Sequence, residues 1–76
     1  VKTAARTLDL FEAFAEVRAP LSLTEVARRI RAPISSCHAL LRTLQGRGYI
    51  YELGSRGPVY PTKRLLDIAN LIASYD

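Results

Sequence analysis

The spacing of apolar residues changes along this chain, and each change marks a new element. From residue 3 to about residue 18, Ala4, Leu8, Leu10, Phe11, Phe14, Ala15 and Val17 fall on one half of a wheel turning about 100° per residue. Arg6, Asp9, Glu12 and Glu16 fall on the other half. The pattern predicts a surface helix with one buried face. Ala19-Pro20 ends it, because the residue before a proline is pushed out of the helical region. Leu21-Ser22-Leu23 is too short for an independent strand, but its β-prone residues could pair with the edge of a later hairpin.

Ser22-Leu23-Thr24-Glu25 has the spacing of a capping box, in which the serine caps open amides and the glutamate reaches back. A second helix starts there, with Leu23, Val26, Ala27 and Ile30 as its apolar stripe and Thr24, Arg28 and Arg31 pointing away. Pro33 opens a third helix, over about 34–46, where its missing N–H costs nothing. Cys37, Leu40, Leu41 and Leu44 share one face of it. Ser35, Ala39 and Arg42 lie opposite, flanked by His38 and Thr43. Gly46 and Gly48 bracket the stop, and Gly48 is the better left-handed cap.

The period then shifts toward two. Tyr49-Ile50-Tyr51-Glu52-Leu53 is rich in β-formers, Gly54-Ser55-Arg56-Gly57 reads as a turn and Val59-Tyr60 as a short return strand, which Pro58 and Pro61 confine to a sheet edge. Thr62 can cap a last helix running to about residue 75. Its apolar residues cover almost the whole circumference, more than a domain this small can bury, so the helix is expected to pack on something outside the chain. The fold class is therefore mainly α with a small β-hairpin: a winged helix-turn-helix over 1–61, followed by a linker helix over 62–76.

Charge sharpens the picture. The formal charge is +4, but Arg28, Arg29, Arg31, Arg42, Arg47, Arg56, Lys63 and Arg64 stand between Val26 and Leu66 against Glu52 as the only acid. The positive field thus sits on the part that would face a phosphate backbone. One cysteine excludes an internal disulfide framework and a cysteine-cluster zinc site, and fits a reducing compartment. Val1 to Arg6 has no secretory pattern, and the longest apolar stretch, 65–73, is interrupted by Asp67 and Asn70. A cytoplasmic protein is expected. The absence of methionine, even at position 1, points to a piece of a longer protein.

These elements suit duplex DNA. A short turn between two short helices fixes a steep crossing, so that the first helix lies across the backbone while the second enters the major groove. Ser35, Ser36, His38 and Arg42 can reach base edges or phosphates from the third helix; arginine is the residue best suited to bidentate pairing with guanine, although Arg42, two turns in, could touch a phosphate alone. Ser22 and Thr24 stand at the start of the second helix, within reach of the backbone, and Arg56 at the hairpin tip suits a flanking groove or phosphates. Each has a plainer use: the serines favour helix starts, and Arg56 and the Arg28, Arg29 and Arg31 cluster serve solubility. Cys37 reads as a small core residue. His38 has no second histidine for metal binding. No acid/base pair, nucleophile with a base, or glycine-rich phosphate loop marks an enzyme, and no cofactor is called for. The competing reading is a winged-helix protein-interaction module that works through the apolar face of its last helix.

The string Pro20-Leu21-Ser22-Leu23-Thr24-Glu25-Val26-Ala27, with Ser36, His38, Leu40-Leu41-Arg42-Thr43-Leu44 and Arg47-Gly48-Tyr49, resembles the N-terminal DNA-binding domain of IclR-type transcriptional regulators. Tyr60 and Thr62-Lys63-Arg64-Leu65-Leu66 are similar to that family's last wing strand and linker helix. The resemblance implies a one-component regulator, repressor or activator, that binds an inverted-repeat operator. It further implies a homodimer or higher assembly held partly by the first and linker helices, and a C-terminal ligand-binding domain beyond these residues. The chain departs from the family pattern at four positions: Arg31 replaces a usual turn glycine, Ala32 a leucine, Ile34 a common lysine and Ala39 a common arginine.

Overall fold

The computed structural model describes residues 1–75. Its elements are α1 (Lys2–Val17), α2 (Leu23–Ile30), α3 (Ile34–Gly46), β1 (Ile50–Glu52), β2 (Val59–Pro61) and α4 (Arg64–Tyr75). α1 stops where Arg18 turns left-handed (φ 55°, ψ 43°) and its N–H bonds the Phe14 carbonyl at 2.7 Å. The expected single buried face of α1 is narrower than its apolar half. Leu10 and Phe14 are buried and Phe11 and Val17 partly so, but Ala4, Leu8 and Ala15 are exposed, Leu8 at 64%. With 16 residues, α1 outruns the neighbours that pack against it.

The capping box forms at the start of α2: the Glu25 N–H donates to Ser22 Oγ at 3.2 Å and the Ser22 N–H to Glu25 Oε1 at 3.0 Å. The helix closes with a paired set of bonds, Arg31 N–H to the Arg28 carbonyl at 3.3 Å and Ala32 N–H to the Ala27 carbonyl at 3.0 Å. These require a left-handed residue between them. That residue is Arg31, at φ 55° and ψ 47°. Pro33 caps α3 with an extended backbone, its carbonyl accepting the Cys37 N–H at 2.9 Å. At the other end of α3 the same closing motif recurs, Gly48 N–H to the Gln45 carbonyl and Tyr49 N–H to the Leu44 carbonyl, and here a glycine takes the positive φ of 84°.

β1 and β2 pair antiparallel with Tyr51 opposite Tyr60. Leu53 N–H to the Pro58 carbonyl and Thr62 N–H to the Tyr49 carbonyl extend the ladder at either end. Leu21 bridges Val59 from the far side, with bonds of 3.0 and 2.8 Å, so β2 is not an outer edge at that residue as its prolines suggested. Pro58 and Pro61 flank the doubly bonded residue instead of occupying it. In the turn, Arg56 is left-handed (φ 55°), and a Cβ on Gly57 would fall on the Leu53 carbonyl oxygen.

Leu10, Val26, Cys37 and Ile50 form the centre of the core, and Phe14, Leu21, Ile30, Leu41, Leu44 and Val59 surround them. Each such Leu, Ile or Val contributes roughly 1.5–3 kcal/mol on burial. Phe14 meets Tyr60 edge to face at 5.8 Å, which locks α1 to the hairpin. The Thr62 hydroxyl donates to the Gly48 carbonyl at 2.6 Å and accepts the Arg64 N–H at 3.1 Å, so one side chain joins the end of α3 to the start of α4. None of the described residues of α4 is buried; Leu71 and Ile72 are 72% and 70% exposed. The radius of gyration, 12.5 Å, exceeds the ~11.4 Å of a compact chain of this length, as a projecting helix requires. Among the described residues no helix is long and apolar enough to cross a membrane. Helix pair, third helix and two-stranded wing make this a winged helix-turn-helix.

Candidate nucleic-acid interface

Burial sorts α3 into two sides. Cys37, Leu41 and Leu44 are inside and Leu40 is partly covered, while Ser35, Ser36, His38, Ala39, Arg42, Thr43 and Gln45 are exposed. Because a helix advances about 100° per residue, Ser35, His38 and Arg42 share one outward face. Ser36 lies about a quarter turn away, on the flank that looks toward α1.

A groove of about 550 Å³ runs between α3, the start of α2 and the wing, and Ser22, His38, Arg42 and Arg56 line it together. The structure thus gathers four of the seven candidate contact residues. Thr24 and Ser35 are exposed beyond its lining, and Ser36 opens onto a separate groove of about 340 Å³ between α1 and α3. Ser22 is occupied as the α2 cap, its hydroxyl accepting the Glu25 N–H. The hydrogen bonds from Ser22, first its backbone N–H and then its hydroxyl, hold the Glu25 carboxyl below the usual carboxylate range.

Two residues in the large groove were not singled out from the sequence. Gln45 lines it, and it stands three residues past Arg42 and seven past His38, so helical spacing alone would have placed it on this side. Glu52 also lines it, and shares a second concavity with Arg42 and Gln45. A lone acid among the cations is visible in the sequence, but that it faces Arg42 follows only from the approach of β1 to α3.

The remaining basic residues divide. Arg28, Arg29 and Arg31 line a groove with Asp9, Glu12 and Glu16 of α1, where Arg29 Nη1 lies 3.5 Å from Glu16 Oε1. The cluster read as serving general phosphate attraction or solubility therefore lines a groove with an acidic stripe. Arg64 lies 6.0 Å from the Tyr49 ring centre, so the aromatic face offsets part of the cost of a cation at a helix start. Of the three hairpin tyrosines, Tyr60 packs on Phe14, Tyr49 is partly buried and Tyr51 is exposed, which leaves no row of rings for stacking bases. Burial pushes the Cys37 thiol up, slightly opposed by the charge of Arg6, and Cys37 is fully covered in the core. Among the described residues no group of three His, Cys, Asp or Glu could hold a metal ion.

Residues 3–54 match the IclR helix-turn-helix domain. The chain is 37% identical over 57 residues to the transcriptional repressor IclR of Escherichia coli (strain K12) and, to the same extent, to the acetate operon repressor of Salmonella typhimurium (strain LT2). The matched stretch covers 75% of this chain and 21% of each relative, so the chain spans about a fifth of their length. With the family model covering the chain from α1 through β1 to residue 54, the chain belongs to the IclR helix-turn-helix domain family.

Proposed function

We propose that this chain is the DNA-binding part of an IclR-type transcriptional regulator and binds duplex DNA in a sequence-specific manner. α3 enters the major groove, Ser35, His38 and Arg42 face base edges, and Arg56 carries the wing onto the flanking groove or backbone. Thr24 and Ser36 take phosphates, and Ser22, occupied as the α2 cap, serves by fixing the start of that helix. The observation that carries the reading is the exposed polar face of α3 opening into one groove with the wing arginine. Residues 1–61 form the binding domain and the segment 62–76 a linker toward an effector domain, its helix described over Arg64–Tyr75 and its last residue lying outside the described residues. Phe11 and Ala15 of α1 and Leu65, Leu66 and Ala69 of α4 line one apolar concavity, which suits a homodimer on an inverted-repeat operator.

The exposed apolar face of α4 also supports a second reading, a protein-interaction module. Salt separates the two: DNA affinity falls steeply as salt rises, whereas an apolar interface hardly responds. The direct test is Arg42→Ala, titrated by anisotropy against a duplex selected from a random pool by the parent chain. Arg42 is exposed, so the fold should survive. Loss of a bidentate base contact, about 1–3 kcal/mol, should weaken binding by roughly 5- to 150-fold. Unchanged affinity would remove Arg42 from the contact set, and salt-insensitive or absent binding by the parent would overturn the reading.

A further inference from the structure

A helix seated in the major groove, about 12 Å wide, has a sugar-phosphate backbone along each of its two flanks. On the wing side of α3 lie His38, Leu41, Arg42 and Gln45, together with Arg56 from the turn. On the other side lie Ser36, Ala39 and Thr43, and α3 itself offers no cation there. That flank forms one wall of the 340 Å³ groove, and the opposite wall is α1, contributing Thr3 and Arg6. Among the described residues lining this groove, Arg6 alone is charged. It is partly buried; a long basic side chain can lay its stem along an apolar wall while its charged head stays in water. The nearest acid along α1, Asp9, lines the separate groove that faces Arg28, Arg29 and Arg31. The Thr43 hydroxyl already donates to the Ala39 carbonyl at 3.1 Å, which leaves the exposed hydroxyls of Thr3 and Ser36 beside Arg6.

We infer that Arg6, with Thr3 and Ser36, clamps a backbone phosphate on the α1 side of α3, opposite the wing. The clamp rests on the DNA-binding reading above, and extends it by giving α1 a direct share in the DNA contact. A fixed cation on each flank centres the reading face over the base edges. Phosphate contacts carry no sequence information, so the clamp acts on any duplex.

That independence of sequence makes the test simple. The chain is titrated by fluorescence anisotropy against a short B-form duplex of mixed sequence over a range of salt. Each phosphate neutralised adds about 0.9 to the slope of log affinity on log salt, so Arg6→Gln should have a slope shallower by about 0.9. Between roughly 50 and 200 mM salt the variant should then lose about 3.5-fold less affinity than the parent. Arg6→Lys should keep the parent slope. Thr3→Glu, at an exposed position with no core contact, should weaken binding even if circular dichroism shows that Arg6→Gln perturbs the fold. Arg29→Gln, whose guanidinium pairs with Glu16, should leave the slope unchanged. The clamp is overturned if Arg6→Gln and Thr3→Glu both match the parent. It is equally overturned if Arg29→Gln lowers the slope as much as Arg6→Gln, since the effect is then bulk charge. A parent that shows no salt-dependent binding refutes the DNA-binding reading itself, and is told apart by being seen before any variant is compared.

Discussion

Arg31 lies at the left-handed position that closes α2 and launches α3, so replacing it with glycine should stabilise the chain. Its φ of 55° and ψ of 47° place the side chain in a region where a Cβ crowds the following carbonyl, at roughly 1–2 kcal/mol. The conformation is held because the Arg31 and Ala32 N–H groups close the helix on the Arg28 and Ala27 carbonyls. Glycine removes the crowding but gives the unfolded chain more freedom, a penalty of about 0.5–1 kcal/mol. Arg31 is exposed and belongs to the groove with the acidic stripe of α1, where losing one surface charge changes stability by about 0–1 kcal/mol. Without that last effect the net gain is about 0.75 kcal/mol, which for a domain of this size raises the melting temperature by about 3–6 °C.

Thermal unfolding followed by far-ultraviolet circular dichroism measures the shift, at fixed protein concentration because self-association also moves the midpoint. Arg31→Ala supplies the control, since it removes the same charge while keeping the Cβ. Arg31→Asn should fall between the two, asparagine tolerating left-handed backbone better than most residues. If Arg31→Gly melts no higher than Arg31→Ala, the turn carries no conformational strain and the reasoning fails. The comparison isolates backbone from charge.

Two further outcomes follow from the capping box and from the acid in the groove. Glu25 has a lowered folded-state pKa, so its stabilising effect is present above its unfolded value and is lost as pH falls through the folded one; Glu25→Gln should flatten the loss of stability in acid, and parallel melting curves of parent and variant across that range would contradict it. Glu52→Gln should tighten binding to a mixed-sequence duplex by about 2- to 5-fold, because a carboxylate beside Arg42 repels the phosphates that Arg42 and Arg56 approach, and weaker binding in the same anisotropy assay would show that Glu52 instead holds the arginine in place.

Much of the fold is legible because its signals are local. Ser22 and Glu25 three residues apart make the α2 start, Gly48 makes the α3 stop, and Thr62 makes the α4 start, each through bonds between near neighbours. What fails to show is which side of an apolar helix its neighbours cover. Leu8 and Leu10 sit at opposite edges of the apolar half of α1, and which edge is covered is not written in its period: Leu10 is at the centre of the core and Leu8 is exposed, because that choice belongs to how α2 and the hairpin cross α1. The same limit applies to the interface. Spacing on one helix puts Ser35, His38 and Arg42 together, but that Arg42 shares a concavity with Glu52, and Arg6 one with Ser36, depends on elements far apart in the chain.

Charge counted along the chain also overstates what faces a partner. The run from Val26 to Leu66 carries eight cations against one acid, but three of them, Arg28, Arg29 and Arg31, look onto Asp9, Glu12 and Glu16, and Arg64 lies by the Tyr49 ring. An acidic stripe from α1 thus neutralises the side of α2 turned away from the wing. Of the other four, Arg42 and Arg56 line the groove on the wing flank of α3, while Arg47 caps its end and Lys63 precedes α4; Arg6 of α1 lines the groove on the opposite flank. On the proposed reading, a field narrowed in this way would attract the backbone chiefly where α3 can descend into the groove, and would disfavour the many orientations in which a uniformly basic surface would stick. The acids of α1, which line no part of the α3 groove, would then act by restricting how the domain can land.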